Sequence, residues 1–200
     1  METIQIHQAS PDMASQIAPL IMEAMNAECC QYFAGPSHTL ADFQEMMVSL
    51  ILRDDSQYSY RNALVATTAE NRVVGVCITY DGALLHSLRE AFVNAAKETF
   101  GRDFSHMDDE TQAGELYIDS LCVTPSHRGQ GIATQLLKAT INRAAHLHLP
   151  VVGLLVDKGN PHAEHLYRRV GFQYANDSAW GGHQMRHLIY RLSPEEQPEI

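Results

Sequence analysis

Long apolar runs are missing: no stretch of this 200-residue chain approaches the roughly 20 uninterrupted apolar residues that a bilayer-spanning helix needs. The opening METIQIHQASPD also lacks a basic n-region and an apolar h-region, so no secretory signal is read and a cytoplasmic protein is expected. Cysteine is scarce, with four thiols (Cys29, Cys30, Cys77 and Cys122), no CxxC spacing and no framework of regular loops. Cys77 and Cys122 lie in apolar, strand-like runs and read as small buried hydrophobes. Adjacent Cys29 and Cys30 are poorly placed to bridge each other, and a cytosolic setting keeps thiols reduced. Positive charge is in deficit, 14 basic against 24 acidic residues for a net charge of −10, with no Lys/Arg run. Such a field repels phosphate backbones and argues against a nucleic-acid partner. Eleven histidines invite a metal reading through the pairs His146/His148, His162/His165 and His183/His187. None has an accompanying carboxylate–cysteine set and no HExxH pattern occurs, so no metal is expected.

What is present is an ordinary globular composition, 45% hydrophobic and 19% charged, at a length typical of one domain. Residues 3–7 alternate as a short strand, and Ser10-Pro11-Asp12 opens a helix with Ser10 as N-cap and Pro11 at the first helical position. Ile17, Leu20, Ile21, Ala24 and Met25 give that helix one buried face, and Gly35-Pro36 breaks the chain. A second helix is predicted over residues 40–52, with Met46 and Met47 as core filler. Residues 62–67 and 72–80, joined by Ala69-Glu70-Asn71, read as an antiparallel hairpin rich in β-branched residues. A helix over 84–100 and a polar, acidic loop over 101–114 follow. From Glu115 the pattern is strand (115–123), helix (130–146), strand (150–156) and short helix (161–170) ending at Gly171. Residues 172–175 and 184–192 read as a final hairpin across an Asn-Asp-Ser…Gly-Gly linker. The expectation is one α/β domain over residues 1–192 with a frayed tail over 193–200.

The densest signal is the run Leu121-Cys122-Val123-Thr124-Pro125-Ser126-His127-Arg128-Gly129-Gln130-Gly131-Ile132-Ala133. A strand ends, Pro125 forces a bend, and a glycine-bearing turn feeds an amphipathic helix that buries Ile132, Leu136, Leu137 and Ile141. The first turn of a helix carries unpaired N–H groups and the positive end of its dipole, which together make an anion site. Gly129 and Gly131 let a phosphate approach the backbone, and Arg128 adds a charged donor. On glycines alone, a ligand-free strand-to-helix connection is an equal reading. The P-loop and dinucleotide-fold alternatives are excluded by spacing, since there is no GxxxxGK[ST], third glycine or following acidic residue.

Arg128-x-x-Gly131-x-Ala133 resembles the R/Q-x-x-G-x-G/A signature of the GNAT N-acetyltransferase superfamily. Leu121-Cys122-Val123 is similar to that family's fourth strand, and Asn160, Ala163, Tyr167 and Gly171-Phe172 resemble its second cofactor motif. The likeness is clear over residues 115–172. It implies a single α/β domain with a mixed, mostly antiparallel sheet of six to seven strands flanked by helices, and acetyl-coenzyme A as acetyl donor. It implies that Arg128, Gly129, Gln130, Gly131, Ile132 and Ala133 hold the pyrophosphate, that Leu121, Cys122 and Val123 pair with the pantetheine arm, and that Asn160 and Tyr167 complete the donor site.

The resemblance further implies transfer of an acetyl group to an unprotonated amine, with the N–H of Cys122 or Val123 polarising the thioester carbonyl. Tyr167 is the candidate general acid toward sulfur, the alternative being a tyrosine packed beneath the donor. Glu115 and Asp119, four residues apart on one strand, share a face with Tyr117, and either carboxylate suits a base. A strand-end role for Glu115 and a loop-holding role for Asp119 stay open. His127 reads as a surface residue beside the phosphate, and Trp180 as either a pocket wall or a packed aromatic. The helix 84–100 and loop 101–114 form an insertion before the fourth strand, whose Asp103, Asp108, Asp109 and Glu110 suggest a cationic acceptor. The primary reading is transfer to an amine of a small molecule or peptide; a non-catalytic coenzyme A-binding sensor and a protein N-acetyltransferase are the alternatives, and a homodimer is left open.

Overall fold

In a computed structural model, which describes residues 2–196, the chain enters through the short strand β1 (Gln5–Gln8) and then forms α1 (Ala14–Met25), α2 (Ala27–Ala34) and α3 (Leu40–Ile51). Ser10 does not cap α1. Its hydroxyl donates to Asp12 at 2.5 Å, and a 3-10 turn over Pro11–Met13 leads into the helix. Helix α2 was not foreseen. Asn26, at φ 71°, ends α1, and its side-chain oxygen accepts from Cys29 N–H at 2.9 Å to start a new helix. A reciprocal Thr39–Asp42 capping box starts α3.

The hairpin β2 (Ala63–Thr67) and β3 (Val73–Asp81) precedes α4 (Leu85–Phe100), and the long loop ends at β4 (Leu116–Val123). Then come α5 (Ile132–His146), β5 (Val151–Asp157), α6 (Pro161–Val170), β6 (Gln173–Trp180) and β7 (His183–Arg191). The predicted linker before β7 is mostly strand. Residues 176–180 pair with 183–187, leaving Gly181-Gly182 as a two-residue turn. Asn, Asp and Ser are poor strand formers, but the ladder to β7 overrides that local preference.

The seven strands form one sheet in the order β1-β2-β3-β4-β5-β7-β6. All neighbours are antiparallel except β4 and β5. One face is covered by α1, α3 and α4 through Ile17, Ile21, Phe43, Met47, Leu50 and Phe92, and the other by α5 and α6 around Leu136, Leu137, Leu154 and Phe172. Each such side chain, fully buried, contributes about 1.5–3 kcal/mol. Central β3 is apolar almost throughout because both of its faces are covered. Among the described residues no helix is long and apolar enough to cross a membrane. Of the predicted tail, residues 193–196 fold back: Glu196 accepts from Tyr190 Oη and from Ser193 N–H, each at 2.8 Å. Residues 197–200 lie outside the described residues.

Candidate active site

Strand β4 follows β3 along its length but pairs with β5 only at residues 116–118 against 152–154. Beyond Ile118 the two strands run on without each other, and the sheet opens into a wedge. A β-bulge marks the opening: Ile78 faces Ser120 and Thr79 faces Ile118, leaving Asp119 without a partner across the ladder. Antiparallel alternation then fixes what the wedge edge offers. Thr124 N–H donates to Val74 O at 2.9 Å, so Cys122, two residues back, also turns its N–H toward β3. The N–H groups of Leu121 and Val123 face the wedge. Of the two amides read from the sequence as carbonyl donors, Val123 points there and Cys122 does not.

The chain leaves β4 through a 3-10 turn over Pro125–His127 and reaches Gly129 and Gly131, whose φ angles of 76° and 79° glycine adopts without strain. A Cβ at either would meet no atom within 4 Å, so the space above the turn is open. Helix α5 starts at Gly131 with no side-chain cap, leaving its first-turn N–H groups and positive dipole end for an anion. This cradle fits a pyrophosphate, and the wedge edge fits an extended amide-bearing arm beside it. Gln130 is exposed at the turn, Ile132 is buried in the core and Ala133 is half-buried. The Arg128 guanidinium braces the rim: its Nε donates to Val123 O at 3.0 Å, and a terminal nitrogen pairs with Glu23 of α1. His127 is buried rather than at the surface. Its Nδ1 lies 2.9 Å from the hydroxyls of both Thr124 and Ser126, and its Nε2 lies 3.2 Å from Glu2. Asn160 caps α6, its side-chain oxygen accepting from Ala163 N–H at 3.1 Å. Tyr167 points inward, edge-on to Phe172 at 6.0 Å, and burial followed by the Cys77 thiol pushes its phenol well up.

On the α2 side lies a cavity of about 570 Å³. Glu28, Cys29 and Tyr32 of α2, Asp103, His106 and Asp108 of the loop, Trp180 of β6 and His183 of β7 are among its walls, and none of its described lining residues is Lys or Arg. The predicted acidic cluster is therefore split. Asp103 and Asp108 line the cavity, whereas Asp109 and Glu110 turn to Arg89 of α4. Arg89, 6% exposed, also donates to the carbonyls of Met107 (3.2 Å) and Asp108 (2.8 Å), and Tyr80 Oη donates to Glu110 at 2.9 Å. Those bonds stitch the loop to the body of the fold. Asp108 also accepts from Gly181 N–H at 3.2 Å, joining the loop to the β6–β7 turn.

The two candidate base carboxylates have different surroundings. Glu115, 3% exposed, accepts from the Thr111 hydroxyl at 2.6 Å and lies 2.8 Å from His187 Nε2, against a separate pocket of about 230 Å³. Asp119 keeps partial exposure, with Gln57 Nε2 donating to its Oδ2 at 3.1 Å and the Ser120 hydroxyl to its Oδ1 at 2.8 Å. Burial, and next the Glu110 charge, push its carboxyl up to about 7 against the pull of those two hydrogen bonds and Arg89. Burial and then the Asp119 charge push the cavity-wall thiol of Cys29 up to about 11.

The sequence profile described as Acetyltransferase (GNAT) family matches residues 23–172, more than half of the chain. The chain belongs to the GNAT family. Spermine/spermidine N(1)-acetyltransferase of Bacillus subtilis (strain 168) is 28% identical over 83 residues, 41% of this chain and 55% of that protein. The probable spermine N(1)-acetyltransferase of Bacillus subtilis subsp. natto (strain BEST195) gives the same figures. This GNAT chain thus spans about half the length of the curated relatives it matches. Its fold superposes on an N-acetyltransferase from Staphylococcus aureus Mu50 with a TM-score of 0.77 at 25% identity, covering 93% of this chain and 100% of that one.

Several groups of this GNAT site were not read from the sequence. Helix α2 had a local signal in Asn26, a good cap, with Glu28 in the first turn. Arg89 had another, since it falls on the same helix face as Leu85, Phe92 and Ala96, where a charge demands a buried partner. Gln57 had none, because its partner Asp119 lies 62 positions away. Among the described residues no group of three or more His, Cys, Asp or Glu gathers as a metal site would.

Proposed function

We propose that this GNAT chain is an N-acetyltransferase that moves the acetyl group of acetyl-coenzyme A to a primary amine on a small cationic molecule or peptide. The observation that carries the reading is the layout of β4: its free edge runs from the Val123 N–H and the uncapped turn at one end to the bulged Asp119 at the other, and a cavity with three carboxylates in its walls lies on the α2 side of the fold. Acetyl-coenzyme A supplies an acetyl group activated as a thioester. The amides of the Gly129–Gly131 turn and of the first turn of α5 hold the anionic end, and the Val123 N–H orients and polarises a carbonyl lying along the wedge. Asp119, about half ionised near pH 7, takes a proton from the acceptor ammonium. The phenol of Tyr167 holds its proton until a strong base forms beside Oη and then gives it up. Glu115 is tied to Thr111 and His187, which leaves Asp119 as the carboxylate suited to the base role.

Glu28, Asp103 and Asp108 line the cavity together with His106 and His183, and Arg102 stacks on the wall rings of Tyr32 and Phe104; the excess of carboxylates favours cations. The partly matching Bacillus subtilis relative is named for spermine and spermidine, which supports the same preference. Thiol release from acetyl-coenzyme A across monoamines, diamines, triamines and basic peptides tests the reading. Turnover is expected with cationic acceptors, and Asp108→Asn is expected to raise KM for a triamine about tenfold, the loss of roughly 1.4 kcal/mol of binding. Donor binding by calorimetry with no turnover of any amine would replace the enzyme with a coenzyme A-binding module.

A further inference from the structure

Gln57 is 4% exposed, and its side-chain amide makes one hydrogen bond among the described residues. Its Nε2 donates to Asp119 Oδ2 at 3.1 Å, while Oε1 is buried and has no partner among the described residues. A buried acceptor left unpaired costs about 1–3 kcal/mol, so its retention beside a proton-transferring carboxylate calls for a reason. The backbone leaves the amide little room to translate. Gln57 N–H donates to Leu88 O of α4 at 3.3 Å, and Gln57 O accepts from Asn62 Nδ2 at 3.2 Å. Rotation of the amide about its terminal bond is the motion that remains.

We infer that Gln57 is a positioning residue that holds Asp119 in both of its protonation states by turning its amide over. With Asp119 as carboxylate, Nε2–H donates to Oδ2, as observed. When the acceptor nitrogen gives its proton to Oδ2, the new O–H would confront Nε2–H. A half-turn of the amide presents Oε1, which accepts from Oδ2–H. No bond other than N–H on the acceptor and O–H on Asp119 changes, and the electron pair of the broken N–H bond stays on nitrogen. Ser120, on the other carboxylate oxygen, needs no such turn because a hydroxyl reorients by rotating its hydrogen. The charged and titratable groups coupled electrostatically to Asp119 are Glu110 from the loop, Arg89 from α4, Tyr58 beside Gln57, Tyr80 and Cys77 from β3, Tyr117 from β4 and Cys29 from α2. None of them offers both a donor and an acceptor to Oδ2 in the observed contacts.

This inference rests on Asp119 being the base, and the experiment separates the two claims. Infrared difference spectra between pH 5 and pH 8, referenced to Asp119→Asn, isolate the carboxylic C=O band of protonated Asp119 in the full-length protein. Gln57→Met, close in volume but unable to donate or accept, is expected to move that band to higher frequency, since the acid loses its acceptor. It is also expected to lower kcat about tenfold at unchanged KM for acetyl-coenzyme A. A band unmoved by Gln57→Met would overturn the turning amide, because the amide would then touch the protonated acid in neither orientation. Gln57→Glu serves as a second variant should Gln57→Met fold poorly: its neutral acid form at pH 5 can still accept, so the band is expected to stay near its native position, and a shift would count against the inference. Full activity in Asp119→Asn would remove the base assignment, while the band still reports whether the amide turns.

Discussion

Replacing Asp119 by Asn probes the site through stability as well as rate. Burial, followed by the Glu110 charge, lifts this carboxyl from its ordinary 3.8 to about 7. A carboxyl raised in this way holds its proton more tightly in the folded chain than in the unfolded one. Between about pH 4 and pH 7 the folded state therefore carries the extra proton, and stability falls as the pH rises through that window. A gap of about three pH units corresponds to ~4 kcal/mol at most, and partial exposure of Asp119 brings the working figure to about 2 kcal/mol. Asn has no charge to bury. Urea unfolding at pH 4, 5, 6, 7 and 8 is expected to show the stability of Asp119→Asn, relative to the native chain, improving by about 2 kcal/mol across the series. At pH 8 the same variant is expected to lose about 10²–10⁴-fold in kcat/KM. A relative stability that stays flat from pH 5 to pH 8 would refute the claim that a strained, titrating carboxylate sits at the bulge.

Gly131→Ala forces an L-residue to φ 79° and is expected to cost about 1–2 kcal/mol by calorimetry while raising KM for acetyl-coenzyme A more than it lowers kcat. Arg89→Met leaves Glu110 buried without its cation, for an expected loss of about 3–5 kcal/mol in unfolding free energy. The same change removes a positive charge that steadies the Asp119 carboxylate, so the acid limb of the pH–rate profile is expected to rise; a limb that falls would contradict the assigned electrostatics. Tyr167→Phe keeps the ring against Phe172 and is expected to lower kcat about 10²–10⁴-fold at unchanged donor KM, whereas an unaltered kcat would leave the tyrosine a packing residue.

Local signals account for what could be read from the chain. The hairpin of β2 and β3, the strand–turn–helix around Gly131, and α6 with its Asn160 cap and Gly171 terminus each arise from residues adjacent in sequence. A bend, a cap and a periodic apolar face are all such features. The failures follow from the opposite cause. Strand β6 forms through residues 176–180 because β7 supplies the ladder, against the turn preference of Asn176-Asp177-Ser178. The division of the four loop acids between cavity and core depends on Arg89, which sits a helix away, and no count of charges in the loop reveals it. The contrast between Glu115 and Asp119 likewise comes from His187 and Gln57, partners 72 and 62 positions distant. Periodicity brought both carboxylates forward as candidates, but only tertiary contacts could separate them.

The junction of β4 and β5 is also the sheet's thinnest seam. With three paired residues there, against seven in each of the ladders from β3 to β4 and from β5 to β7, few interstrand bonds join the first four strands to the last three. Amide hydrogen exchange is expected to find the two sub-sheets opening as separate cooperative units in the free protein, with the gap-facing amides of Leu121 and Val123 exchanging first. A donor threaded into the gap would act as an eighth strand across this seam. Its binding should slow exchange in both sub-sheets together, turning two unfolding units into one.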